Sequence, residues 1–248
     1  MNTIFAHRDG RTDPVTSIER SWLSPAAGVY IWVDLASPSI PESLVLSDTF
    51  GFHRLAIEET RATRHSPKID PYDGYLFATI AGADADVSFF VGPHYIVSVH
   101  WDASKAIADL TDSVSHGGKH FGEGPFAMFH RLVQAAVEGF APVMQKHGEC
   151  ADGLEKRMLE RAGSGIVLEV LHARSDVFWL SQRLERQREA IRRLADRELV
   201  DISAEMAVRF RDVQNRLARL VDDAAALEHR LGDLLTAAAA LGARKSWI

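Results

Sequence analysis

One run near the C-terminus constrains the fold more than any other. Phe210, Val213, Leu217, Leu220, Ala224, Leu227, Leu231, Leu234, Ala238 and Leu241 follow one another at alternating spacings of three and four. Apolar residues at that period line one face of an α-helix. The run covers more than four heptads, about 48 Å of helix at 1.5 Å rise per residue. Such a stripe has two uses. It packs inside a bundle formed by its own chain, or it joins copies of the chain. Alanine at two seam positions favours close approach, and the helix outreaches the small domain before it. Self-association is therefore the expectation.

The rest of the second half is also helical, with no strand signal. Phe129, Leu132, Val133, Ala136, Phe140, Val143 and Met144 recur at helical spacing, and Pro142 is expected to bend that helix without necessarily ending it. Gly163-Ser164-Gly165 breaks it. The next helix carries Val177, Leu180, Leu184, Gln187, Ile191 and Leu194, again at three and four. A short break between two long helices makes them antiparallel.

The first half changes period. "GVYIWVDL" (28–35), "YLFATIA" (75–81), "DVSFFVG" (86–92) and "HYIVSVHW" (94–101) are rich in β-branched and aromatic residues and read as strands. Gly92-Pro93 separates the last two as a hairpin-like break. "SIPESLVLSDTFG" (39–51) reads as a helix. Ser39 is its N-cap, Glu42 completes a capping box, Pro41 lies in the first turn, and Gly51 closes it. "SKAIADLTDSVS" is a further helix, and "HGGKHFGEGP" a loop. The chain divides at residues 1–125 and 126–248. It belongs to the α+β class, with a small mixed sheet over about residues 15–124 carrying helices, then long antiparallel helices.

Composition narrows function by exclusion. The 248 residues carry a net charge of −6, which gives no reason to expect nucleic acid, since that calls for a concentrated basic face. The single cysteine, Cys150, permits neither an intrachain disulfide nor a cysteine metal cage and fits a reducing compartment. The N-terminus lacks a signal-peptide core. The longest apolar tract, "LLTAAAALGA", is about half the ~20 residues that span a bilayer. The chain as given is expected to be soluble.

Enzyme motifs are missing: no GxSxG, GK[ST] glycine loop, GxGxxG or HExxH. His116 and His120 are four apart, but the two glycines between them read as loop. His94 and His100 flank a strand and read as structural or surface residues. Cys150 reads as a quiet thiol. Carboxylates are the better candidates, because Mg²⁺ takes oxygen ligands and often needs only one or two from the protein. Glu58-Glu59 can supply one, and Asp212 in "RFRDVQNR" another. A solvated acidic face paired with nearby arginines is the competing reading of the Glu58-Glu59 pair.

"WVDL", "FGFHRLAIEET", "SPKIDPYDGYLFATI", "SFFVGPHYIVSVH" and "FRDV" opening a heptad helix occur in that order over residues 28–243. The set resembles the cytosolic domain of CorA-type divalent cation transporters, in the superfamily that also holds the ZntB zinc-transporting branch. The resemblance implies an α/β/α cytosolic domain, a stalk helix lining a funnel, and a pentameric ring on the cytoplasmic side of the plasma membrane. It implies a regulatory Mg²⁺, or another divalent cation, held between neighbouring subunits by Glu59 and Asp212. The transported ion would be Mg²⁺, Co²⁺ or Zn²⁺. Arg54 stands where that family usually has proline, Glu59 where it usually has Asp, and His65-Ser66 where it usually has Gln-Arg. The chain stops at Ile248 before any membrane helix or Gly-Met-Asn loop. Arg244, Lys245 and Trp247 read as a basic and aromatic neck at a membrane boundary. The expectation is the soluble part of a longer transporter. The alternative is a membrane-free helical oligomerisation module without metal sensing.

Overall fold

Asp9 and Gly10 both take positive φ, 52° and 75°, as a two-residue type I′ hairpin turn requires. In the computed structural model this turn joins β1 (Asn2–Arg8) to β2 (Arg11–Pro14), with Arg8 opposite Arg11. The sheet expected from about residue 15 therefore begins at Asn2, and the Asp-Gly pair is the signal for the two additional strands. The structure describes residues 2–62, 66–116, 121–160, 164–199 and 202–245. His65, His120, Gly163 and Trp247 lie outside the described residues, as do the side chains of Leu241, Arg244 and Lys245.

The remaining strands are β3 (Tyr30–Ala36), β4 (Lys68–Tyr72), β5 (Tyr75–Ala81), β6 (Asp86–Val91) and β7 (Tyr95–His100). They complete a seven-stranded sheet of order β2-β1-β3-β7-β6-β5-β4. Among the described residues only the β3–β7 pair is parallel, with Asp34 beside Ser98 and Ala36 beside His100. Pro71 sits in β4 at the sheet edge, where a missing N–H costs no ladder bond.

Helices cover both faces. On one, Ile31, Val33, Phe77, Phe90 and Val97 bury Leu46 of α1 (Ile40–Asp48) and Ala56 of α2 (Arg54–Glu59). The capping box of α1 forms: Ser39 Oγ accepts from the Glu42 amide at 3.4 Å, and Glu42 Oε2 accepts from the Ser39 amide at 2.8 Å. Gly51 turns the chain at φ 66°, which brings Phe52 into a stack on Phe90 at 4.0 Å. On the other face lie α3 (Lys105–Ser115), α4 (Pro125–Glu138) and the nearer ends of α6 (Ser164–Ala195) and α7 (Ala204–Lys245). Trp32, Ile80, Phe89 and Ile96 pack there with Phe129, Ile191 and Phe210. This core runs from Phe5 to Leu217, so side chains from both sides of residue 125 share it.

Pro142 does more than bend a helix. The helix ends at Glu138, Gly139 follows, and α5 (Phe140–Glu160) starts anew. Proline has no N–H to give the carbonyl of Glu138 four residues back, so the ladder opens there. Helix direction follows from the ion pairs. Arg157 of α5 meets Glu169 of α6 at 2.6 Å, and Arg174 of α6 meets Glu228 of α7 at 3.5 Å. At the opposite end of α6, Arg211 of α7 donates to the Ala195 carbonyl at 3.4 Å. So α6 is antiparallel to both neighbours, as expected.

The long stripe is consumed inside the chain. Phe210, Val213, Leu217, Ala224 and Leu231 are each 0% exposed. The first three pack with Leu184, Ile191 and Leu194; the others pack with Ala151, Leu154, Val170 and Val177. Of the two uses the sequence allows, internal bundle packing is the one these positions show within the chain. The reason is that α5 and α6 carry stripes of their own, and each buries its stripe only by closing against α7. Among the described residues no helix is long and apolar enough to cross a membrane.

Candidate metal site

Helix α2 is six residues long, too short to stand without anchors. His53 Nδ1 caps it by accepting from the Leu55 amide at 3.2 Å, and the His53 amide donates to Tyr75 Oη at 3.0 Å. Ala56, fully buried, seats it on the sheet. At its far end Trp101 Nε1 donates to the Thr60 carbonyl at 2.6 Å. These contacts fix the direction of the two acidic residues. Glu58 pairs with Arg54 at 2.8 Å, so the arginine that replaces the resembling family's proline serves as its i,i+4 partner. Glu59 meets the Lys68 ammonium, which also lies 2.9 Å from Asp70 Oδ2. Burial lowers the Lys68 pKa, but hydrogen bonds to Glu59 and Asp70 outweigh it and the net shift is upward.

Asp212 stands on the exposed side of α7. Arg216, one turn on, donates to its Oδ2 at 3.0 Å and also pairs with Glu138 of α4. Glu59 and Asp212 are not brought together within the chain. Helix α2 packs on one face of the sheet and α7 on the other. Among the described residues no group of three His, Cys, Asp or Glu side chains is placed to hold a metal. Any site joining these two carboxylates needs a second chain.

The donor chemistry still fits a hard cation. Both candidates are carboxylates, and each is part-exposed, with side chains 43% and 60% accessible. Each already holds a positive group, Lys68 or Arg216. The Lys68 ammonium is contacted by two carboxylates, Glu59 and Asp70.

A second polar cluster escaped the sequence reading, which treated His94 and His100 as one pair. His94 stacks on Tyr30 at 6.4 Å, whereas His100 is buried at the end of β7. Its Nε2 faces Asp34 Oδ2 at 3.4 Å and its Nδ1 faces the Asp102 carbonyl at 2.7 Å. Ser98 donates to Asp34 Oδ1 at 2.5 Å, and Trp32 Nε1 donates to Ser98 at 3.1 Å. The available signal was local: in β3 Asp34 stands between Val33 and Leu35, and β7 closes on His100 after Val99, each a polar residue among apolar strand neighbours.

Two histidines respond to pH in opposite senses. Burial pushes the His100 pKa down, but its hydrogen bond to Asp34 and the Asp34 charge outweigh that, and the net shift is up from 6.5. Its protonation stabilises the fold fully below 6.5, and that contribution is lost as pH rises through the raised value. His130 sits edge-on to Phe210 at 5.3 Å, and burial lowers its pKa. The fold keeps it neutral, so stability falls as pH drops below 6.5. Urea midpoints between about pH 5 and pH 9 check both. His130→Phe is expected to flatten the acid limb, and His100→Asn the alkaline decline. Wild-type slopes in both variants would refute the assignment.

Comparison with known proteins adds a family and a fold. The family profile described as CorA-like Mg2+ transporter protein matches residues 27–245. YfjQ of Bacillus subtilis (strain 168), named as a metal ion transporter, is 25% identical over 197 residues. That match covers 77% of this chain and 62% of the relative, so the chain spans about three-fifths of YfjQ's length. The soluble domain of CorA from Methanocaldococcus jannaschii superposes with TM-score 0.79 at 16% identity, covering 94% of this chain and 95% of that one. The ZntB cytoplasmic domain from Vibrio parahaemolyticus RIMD 2210633 gives TM-score 0.79 at 11% identity, covering 98% of each chain.

Proposed function

The chain belongs to the CorA-like Mg²⁺ transporter protein family, a family of transporters and not an enzyme class, and from that premise we propose that it is the regulatory domain of a divalent cation transporter. In this reading it lies on the cytoplasmic side of the membrane and forms a homo-oligomeric ring, pentameric in the whole protein. A regulatory divalent cation, Mg²⁺ in the first instance, is held between Glu59 of one subunit and Asp212 of the next. The ion conducted is Mg²⁺ or Co²⁺, with Zn²⁺ as the branch alternative.

One observation carries the proposal. The two candidate carboxylates sit on opposite sides of the same chain, part-exposed, so adjacent copies related by rotation can offer one to the other. Hard carboxylate oxygens suit a cation that keeps most of its waters. Two facing carboxylates repel unless a cation lies between them. A cation that binds better to the closed packing shifts the population toward it by its differential affinity, and its loss releases the ring.

Calorimetric titration of MgCl₂ into the wild-type chain and Asp212→Ala tests the site. Loss of a carboxylate ligand is expected to weaken binding about tenfold or more. Identical binding by the two proteins sinks the assignment of Asp212.

A further inference from the structure

Glu59 does not wait empty-handed for a metal. The Lys68 ammonium lies against Glu59 Oε2 and 2.9 Å from Asp70 Oδ2. Two carboxylates of one chain therefore converge on a single cation position, and a side chain of that chain fills it. The arrangement is held from three directions. Glu59 ends the helix that Trp101 and His53 anchor. Lys68 and Asp70 project from the edge strand β4, whose register against β5 sets Lys68 opposite Thr79 and Asp70 opposite Phe77. The Lys68 ammonium also lies 5.5 Å from the centroid of the Phe77 ring, close enough for a cation–π contact.

We propose that Lys68 is a tethered competitor for the divalent cation, setting the concentration at which Glu59 becomes available to it. The inference rests on the reading of Glu59 as a ligand. In the metal-free chain Lys68 neutralises Glu59 and Asp70, so the domain tolerates the absence of a metal. Metal binding is then an exchange: the ammonium swings to water as the cation takes its place. Such a competitor shifts the response to higher cation concentration without changing which ligands bind. Asp70 becomes a second oxygen donor beside Glu59 once the ammonium has left. Lys68 is partly accessible, 35% at its side chain, so it can move out without unfolding the strand. At that exposure the pair is screened by water, and its removal changes affinity several-fold and not by orders of magnitude.

The test is MgCl₂ titration by calorimetry on wild type, Lys68→Met, Lys68→Arg and Asp212→Ala, with thermal melts in EDTA and in Mg²⁺. Lys68→Met is expected to bind Mg²⁺ about fivefold more tightly, and its melt in EDTA to drop while its gain on adding Mg²⁺ grows. Lys68→Arg keeps the charge and is expected to follow wild type. If the methionine variant fails to fold, Lys68→Gln takes its place with the same expectation. Unchanged affinity in Lys68→Met overturns the proposal, leaving Lys68 as a fastener between α2 and β4. Weaker binding also overturns it, because the lysine would then be positioning Glu59. The two readings fail separately. Tight Lys68→Met binding with an unaltered Asp212→Ala leaves the competitor standing at a site that Asp212 does not share. Weak Asp212→Ala binding with an unaltered Lys68→Met leaves the intersubunit site standing without a competitor.

Discussion

Replacing Phe210 by alanine is expected to lower the thermal midpoint by about 12 °C, by the same amount at low and at tenfold higher protein concentration. Phe210 is 0% exposed. Its ring meets Phe129 at 5.8 Å and His130 at 5.3 Å. Truncating a buried phenylalanine costs ~3–5 kcal/mol through lost transfer energy and the cavity left behind. A domain of this size loses roughly 2–4 °C for each kcal/mol. Concentration is the informative axis. If the stripe on α7 joined subunits, higher concentration would recover part of the loss by mass action. Scanning calorimetry at the two concentrations decides it: a loss that shrinks with concentration would place the stripe between chains.

Gln187→Leu is expected to cost about 3 kcal/mol, even though leucine matches the size and suits the apolar stripe around it. Gln187 is 0% exposed. Its Oε1 accepts from the Ala81 amide at 2.6 Å, and its Nε2 donates to the Ala81 carbonyl at 3.1 Å. One amide side chain thus completes the backbone at the end of β5, where the ladder runs out. Leucine would leave two buried backbone groups unpaired, at ~1–3 kcal/mol each. Chemical denaturation of Gln187→Leu beside Ile191→Val separates this from packing, since the valine variant is expected to lose only about 1 kcal/mol. Equal midpoints for the leucine variant and wild type would mean that those backbone groups find other partners.

These two positions also mark where the sequence could be read and where it could not. Helix and strand periods, the α1 capping box and the antiparallel helix pair all follow from local pattern, because each is decided by neighbours a few residues away. The destination of the α7 stripe is not local. Its spacing suits an internal bundle and an intersubunit coil equally, and the choice depends on α5 and α6 folding back along it. Gln187 illustrates the same limit. Its place in a three-four alternation marks it as buried, but its partner is Ala81, 106 residues away. The first hairpin was legible in Asp9-Gly10.

The candidate site was legible only in part. Glu59 and Asp212 stand out as carboxylates in suggestive surroundings, and their resemblance to a known motif order did more than chemistry could. Neither Lys68 nor Trp101 declares itself in sequence. Lys68 reaches Glu59 because a strand edge comes back beside a helix end, and Trp101 reaches Thr60 across 41 residues. Asp34 and His100 each show as a polar residue in an apolar strand, but their partnership did not, since two parallel strands bring together residues 66 apart in sequence.

Helix α7 has one more implication, which concerns leverage. Its apolar stripe is gripped by α5 and α6 as far as Ala238, so the three helices bend little and turn as one beam. Asp212 lies near one end of that beam and Lys245 at the other, separated by roughly 50 Å at 1.5 Å per residue. At that radius, each degree of rotation about the Asp212 end sweeps the Lys245 end sideways by on the order of 0.9 Å.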